Sequence, residues 1–451
     1  MITTLESAAG ESRGGGWRRP VRVAVTIAAV LFTGCTQPAP FQPLVVSNAS
    51  LSGRTVSWTT TQPSLGAVRW GRHSGQFDHV SYPEAPTSDR AYSSAHAVAL
   101  LSVAAGDSVY LQIMARANGG SLTVGPAQAF RIASAPPLAS LLTWTMIDVG
   151  WGDSHLLSMP TTGEHVLIDA GERRDAVNVE RCLADAHLTR LDAVVATHIH
   201  EDHIGGLVGE SYLTDDGVMA LYEVGELVEA TNLSAQRSAY DELVALCAAR
   251  SVPRRVVRPG DTDATNAAVA WDPQVHVAVL NAGGGRAIGG PSENDWINND
   301  SIVMRLTYGN VSMIFGGDAE SPVETKLIQS GVALQASLLK VHHHGSANAS
   351  DDAYLTAVHP RIGLIPICTY ESTGGSLPST TVLQRLRDHG VDIYASDRAE
   401  PLGIRYTGDA GQNVTVVTDG RSYEVAVAPS ASQHWPPDDY GGAHATAAGG
   451  P

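Results

Sequence analysis

Hydrophobic and polar positions change texture three times along the chain. Residues 1–17 are small and polar, Arg18, Arg19 and Arg22 follow, and Val23 to Phe32 is an apolar run of about ten residues. That run is too short for a permanent membrane span, and its order matches the charged and apolar regions of an export signal. From about Leu44 to Ala133 the runs LVVSNAS, RTVSWTT, GAVRWG, HAVALLSV, DSVYLQIMA and AQAFRIA tend to alternate between apolar and polar residues, with Gly, Pro or Asn between them. Period-two alternation of this kind predicts an antiparallel β sandwich, and no chemistry is visible in it. From about Leu141 to Pro429, strands such as EHVLIDAG and the nearly continuous LDAVVATH are interleaved with helical spacing, as in the apolar positions 179, 183 and 186. Strands without alternation belong to sheets covered by helices, so this region is predicted to be a layered α/β domain. Residues 36–43 form a Pro-rich tether, 134–140 a linker, and 430–451 a Gly-, Ala-, Pro- and His-rich tail expected to be disordered.

Composition narrows the function. With 451 residues and 43% hydrophobic content the chain has ample core for two or three domains. Its 29 Lys and Arg face 46 Asp and Glu, a net charge of −17 that opposes non-specific binding to nucleic acid and favours small substrates or basic partners. Four widely spaced cysteines contain no CxxC pair, which removes thiolate metal knuckles and a disulfide framework. The 17 histidines are the unusual count, because several are neighbours.

After the strand LDAVVAT come His198, His200, Asp202 and His203, followed by Gly205-Gly206 expected to open a helix. Four ligand-type side chains in six residues at a strand end can serve two metals a few ångströms apart. Imidazole with carboxylate suits Zn²⁺ first and Mn²⁺ or Fe²⁺ next, and two such cations can activate a water and neutralise a developing oxyanion. Asp318, ending the strand of SMIFGGDAE, reads as a ligand or a turn residue. The triplet His342, His343 and His344 reads as a site or an exposed patch, and Asp153 in GWGDS as a supporting carboxylate or a turn residue. No Gly-x-Ser-x-Gly elbow, P-loop or dinucleotide fingerprint is present in the α/β region, so serine acyl chemistry and nucleotide-driven chemistry lack support.

The motif HIHEDHIGG resembles the signature of the metallo-β-lactamase superfamily, and segments on either side follow its order. The strand IDVGWGDSHLL, the segment NNDSIV, expected to be a strand, and LLKVHHHGS are similar to the subgroup typified by the soluble domain of the competence protein ComEC and by phosphorylcholine esterases. The resemblance implies an αββα fold over 141–429. It implies a first metal on His198, His200 and Asp318, and a second on Asp202, His203, His344 and the shared Asp318. It also places Asp169 behind the ligands, His343 at the substrate or leaving group, and His342 on another face. His276, the one histidine between His203 and Asp318, does not match a ligand, and Leu377-Pro378-Ser379 stands where the subgroup often has a His before Pro. Residues 44–133 resemble a fibronectin type III-like module, with Trp58, Trp70 and Tyr110 at its core positions. Leu31-Phe32-Thr33-Gly34-Cys35 resembles a lipoprotein box, implying removal of the signal and a lipid anchor on Cys35.

Three functions follow as expectations. The leading one is an exported two-metal hydrolase of phosphodiesters. The second is a carboxylic ester, lactone or β-lactam hydrolase on the same site, and the third a cell-surface binding protein whose sandwich does the work. Arg254, Arg255 and Arg258 are the one dense basic cluster of the catalytic region, expected to line either a substrate groove or a solvated loop.

Overall fold

The computed structural model describes residues 43–84, 90–135, 140–210, 217–231, 233–366, 377–396 and 413–427. The export signal, Cys35, most of the Pro-rich tether, Cys368 and the tail lie outside them. Among the described residues no helix is long and apolar enough to cross a membrane.

Two sheets face each other. One, 15-stranded, carries Arg254–Val257, Leu227–Ala230, Ala193–Ala196, His165–Ile168, His155–Ser158, Leu142–Met146, Val414–Thr418 and Tyr423–Val427 in that order, then continues into the N-terminal strands. The other has six strands, in the order Val275–Asn281, Val303–Tyr308, Val311–Phe315, Leu338–Lys340, Ile362–Ile365, Asp392–Ala395. Side chains on a strand alternate between faces, so every buried strand here serves two cores. In Ala193–Ala196, Ala193 and Val195 join the core between the sheets, while Val194 and Ala196 join the core under the helices. Helices Ala176–Asp185, Glu201–Val208 and Ser238–Arg250 cover the large sheet, and Ser321–Ser330, Asp352–Val358 and Thr380–Asp388 cover the small one. The result is the predicted helix-sheet-sheet-helix layering.

Two local expectations are corrected. Gly205 and Gly206 lie inside the helix Glu201–Val208 rather than opening it. A Cβ on Gly206 would stand 2.1 Å from the carbonyl oxygen of Ala170, so this glycine lets the helix press onto the preceding strand end. The NNDS segment is not a strand: Asn298 and Asn299 end the helix Glu293–Asn299, and the strand starts at Val303. Asp300 is drawn into that turn because its carboxylate accepts from Ser234 N, Ser234 Oγ and Gly285 N.

The N-terminal strands are all antiparallel. The long strand Thr55–Gly71 pairs through its first half with Val46–Ser52 and Ser93–Ala99, and through its second with His79–Tyr82 and Ser108–Ala117. Trp58 and Trp70 are buried in one core there, stacked on His96 and His79, whereas Tyr110 is only half-buried and Tyr82 is the buried tyrosine. This region shares a sheet with the catalytic one, because His79–Tyr82 pairs antiparallel with Tyr423–Val427.

Candidate metal centre

The strands of both sheets deliver their functional side chains at one rim. Asp169 follows the strand His165–Ile168 at φ 56° and accepts from Thr197 N (2.8 Å), Thr197 Oγ1 (2.6 Å) and His203 Nδ1 (2.8 Å). With its Nδ1 proton given to Asp169, His203 presents Nε2 to Asp318 Oδ2 at 3.3 Å and Asp202 Oδ2 at 4.0 Å. His344 is built alike. Its Nδ1 donates to Pro366 O (3.2 Å) and faces Asp153 Oδ1 (3.3 Å), while its Nε2 lies 3.4 Å from Asp318 Oδ2 and 3.6 Å from Asp202 Oδ2. The ligand atoms of Asp202, His203, Asp318 and His344 all fall within 4.8 Å of one another.

Whether this cage fits a cation is a question of hydrogen bonds. His203 Nε2, His344 Nε2 and Asp318 Oδ1 are buried with no hydrogen-bond partner. Buried polar atoms are normally paired, and atoms left over in a cluster that converges on one point have the chemistry of a ligand set. Imidazole nitrogens with carboxylate oxygens are the donors a Zn²⁺-type ion takes. Burial alone would push His203 and His344 down, but Asp318, with Asp169 and Asp202 beside His203 and Asp153 beside His344, holds both well above the ordinary imidazole range. Burial pushes Asp318 up, and His344, His203 and His343 more than reverse it. A divalent cation would replace those ring protons.

His198 and His200 form a second pair. His198 Nε2 and His200 Nδ1 are 3.1 Å apart, and the His198 ring lies 4.1 Å from that of His203. Burial first, and then the neighbouring histidines, hold His198 well below its usual range, which keeps it neutral and able to donate a lone pair. Their ligand atoms do not join the four-residue cage.

His343 Nε2 lies 3.7 Å from Asp318 Oδ2, its Nδ1 donates to Asn348 Oδ1 at 3.1 Å, and its side chain is 21% exposed. His342 faces away, buried against Glu324 (2.9 Å) on the helix Ser321–Ser330, as its place in the triplet suggests. His276 is 69% exposed and paired with Asp263, far from ligation. Asp153 sits behind the cage, facing His344, His203 at 3.9 Å and His155 at 4.0 Å. It arrives through the turn Gly150-Trp151-Gly152, where Gly152 has φ 110° and a Cβ would stand 1.8 Å from Asp202 O. Any other residue would force the metal loop outward.

Several participants escaped sequence reasoning. Lys340 is fully buried beside the cage; it donates to Gly317 O (2.6 Å), pairs with Asp153 and lies 3.7 Å from Asp318 Oδ1. Its signal was present: Leu338 faces the inter-sheet core, Leu339 the helices, and the next inward position holds a lysine where alternation calls for an apolar residue. Glu320, buried next to His343 (3.7 Å), is pushed up to about 7, by burial first, against a hydrogen bond from Asn298. A pocket of about 320 Å³ opens along His200, Glu201, Asp202, Arg237, Ser238 and Asn294. Nothing local in the sequence marks Arg237 or Asn294. Arg254 and Arg255 are each paired, with Glu229 (2.7 Å) and Glu226 (3.3 Å), on the edge strand Arg254–Val257.

Two facing sheets flanked by helices, with a His/Asp cage at the strand ends, define a metallohydrolase-type fold. Residues 147–368 match the sequence model of the metallo-beta-lactamase superfamily, and the chain carries a domain of that superfamily. It is 27% identical over 293 residues to ComE operon protein 3 of Bacillus subtilis, covering 61% of this chain and 34% of that one. Competence protein ComA of Neisseria gonorrhoeae is 24% identical over 280 residues, covering 60% and 34%. The chain thus spans about a third of the length of these relatives. Solved structures similar to it include a class B3 di-zinc metallo-beta-lactamase from an Alaskan soil metagenome (10% identity, TM-score 0.28, 56% of this chain and 87% of that one). Another is a HARLDQ-motif mutant metallo-beta-lactamase from Cronobacter sakazakii (12% identity, TM-score 0.28, 55% and 90%).

Proposed function

We propose that this chain is an exported, metal-dependent hydrolase of small phosphodiesters, anchored to a membrane surface through lipidated Cys35. The observation that carries the hydrolase reading is the convergence of the ligand atoms of Asp202, His203, Asp318 and His344, both imidazole Nε2 atoms among them unpartnered, beside a substrate-sized pocket. Asp202, His203, Asp318 and His344 would hold one divalent ion, and His198 and His200 with Asp318 a second, zinc being the best match to this donor set. Such ions supply Lewis acidity toward the phosphoryl oxygens and lower the pKa of water.

The remaining steps belong to the chain. Asp169 and Pro366 O fix the two imidazoles with Nε2 inward. Burial holds His343 below its usual range despite Asp318, so it enters neutral, with Nδ1–H on Asn348 and Nε2 facing the site. It therefore accepts a proton at Nε2 from the attacking water first, and the same nitrogen then delivers it to the leaving oxygen. Long nucleic acid is a poor fit, since Arg254 and Arg255 are already neutralised by their own glutamates.

The test is a comparison of kcat/KM for metal-loaded protein on a small aryl phosphodiester, a paranitrophenyl ester, a lactone, a β-lactam and DNA. The phosphodiester is expected to lead; a tenfold lead for the ester, lactone or β-lactam overturns the substrate class. No turnover of any, with metal bound, supports a binding protein instead. For the anchor, Cys35→Ser protein expressed in bacteria is expected to leave the membrane fraction. Equal retention with wild type removes that part of the proposal.

A further inference from the structure

Lys340 has no role in the reaction drawn above, yet it is among the largest fully buried side chains of the molecule. Three buried carboxylates, Asp153, Asp169 and Asp318, and the half-buried Asp202 crowd the cage, and Lys340 is the one lysine or arginine paired with any of them among the described residues. Its ammonium reaches Asp153, which in turn backs His344 and His203, and it stands 3.7 Å from Asp318. A buried carboxylate with no counter-charge is strongly destabilising, so the cage needs positive charge whether or not a metal is bound.

We infer that Lys340 is the resident counter-ion of the metal cage, supplying in the metal-free protein part of the charge that a divalent cation supplies when bound. The same charge then repels the arriving cation across a poorly screened interior. Lys340 therefore lets the site fold before it is loaded and weakens its grip on metal. A residue that merely filled space or propped the ligands would act the other way, because its loss would loosen the site.

The experiment compares wild type, Lys340→Met, Asp153→Asn and the double variant, each as the full chain, in chelator and with Zn²⁺. Thermal midpoints and Zn²⁺ affinity by competition with a chromogenic chelator are the readouts, and neither requires turnover. Lys340→Met is expected to lower the metal-free midpoint by roughly 5 °C, to lower the Zn²⁺-loaded midpoint by less than half as much, and to bind Zn²⁺ about tenfold more tightly. Adding Asp153→Asn, which removes the uncompensated charge, is expected to return most of the metal-free stability. Equal loss with and without Zn²⁺, or Zn²⁺ bound more weakly by Lys340→Met, overturns the inference. Should Lys340→Met not fold in chelator, it is expected to refold when Zn²⁺ is supplied and the double variant to fold without it; failure of both overturns the inference equally.

Discussion

Two groups of ionisable side chains are buried in this molecule, and they obey opposite rules. Where the N-terminal strands meet the catalytic sheet, Glu424 Oε2 collects Trp70 Nε1 (3.2 Å), Ser81 Oγ (2.6 Å) and Leu101 N (3.0 Å). Beside it Tyr82 donates to Asp392 (3.2 Å), lies 2.7 Å from Tyr394 and carries the Arg361 guanidinium over its ring, while Arg361 also pairs with Asp392 (2.9 Å). Glu424 Oε2 and Asp392 Oδ2 there meet donors. In the metal cage the ligand atoms of Asp202, His203, Asp318 and His344 turn toward one another, and the hydrogen-bond partners of the two imidazoles lie behind them. Burial of charge is common to both. What separates a joint from a site is whether the ligand atoms of several residues converge on one point.

Asp318→Ala breaks the comparison most sharply. It removes the carboxylate common to both ligand sets, and activity should fall by on the order of a thousandfold or more. Elemental analysis should show lost metal while circular dichroism stays native, since the residue sits at a strand end.

At the joint the expected pattern is the converse. Glu424→Leu strands three donors and should cost about 3 kcal/mol, lowering the thermal midpoint by about 4 °C. Metal content should not change, and a loss of metal would show that the two regions are coupled.

The cage alone should respond to pH. Because the metal-free folded state holds the His203 and His344 protons more tightly than the unfolded chain does, they stabilise it fully below the ordinary imidazole range. That stability is lost as pH rises through the raised values. Metal must displace the same protons, so its affinity should improve by about tenfold per pH unit for each one displaced, and the metal-induced rise in midpoint should grow with pH. A pH-independent rise would mean the imidazoles are already neutral.

The smallest effect is expected from the edge strand. Arg255→Ala removes an exposed, already paired charge and should cost about 1 kcal/mol or less. Turnover of a small phosphodiester should change less than about twofold, and a larger loss would place this arginine in the substrate path.

The amino-acid sequence by itself determined the layered α/β domain and the strand-end location of HIHEDH, which depend on local periodicity and on ligand types at short spacing. Asp318 and His344 were reached through the family resemblance, and the structure brings them to the same cluster as Asp202 and His203. The sequence also pointed to the antiparallel N-terminal strands and placed His342 away from the site. The NNDS turn was misread as a strand because Asp300's partners, Ser234 and Gly285, are remote in sequence. Tyr110, placed in the core by the resemblance to a fibronectin type III-like module, is only half-buried. Only the tertiary structure decided that Lys340 lies under the cage, that Arg237 and Asn294 border its pocket, that Arg254 and Arg255 are neutralised, and that Glu424 locks the two regions into one sheet. Each of these depends on which charges two distant strands bring within a few ångströms, and at that range Coulomb and desolvation energies are fixed by packing rather than by neighbours along the chain.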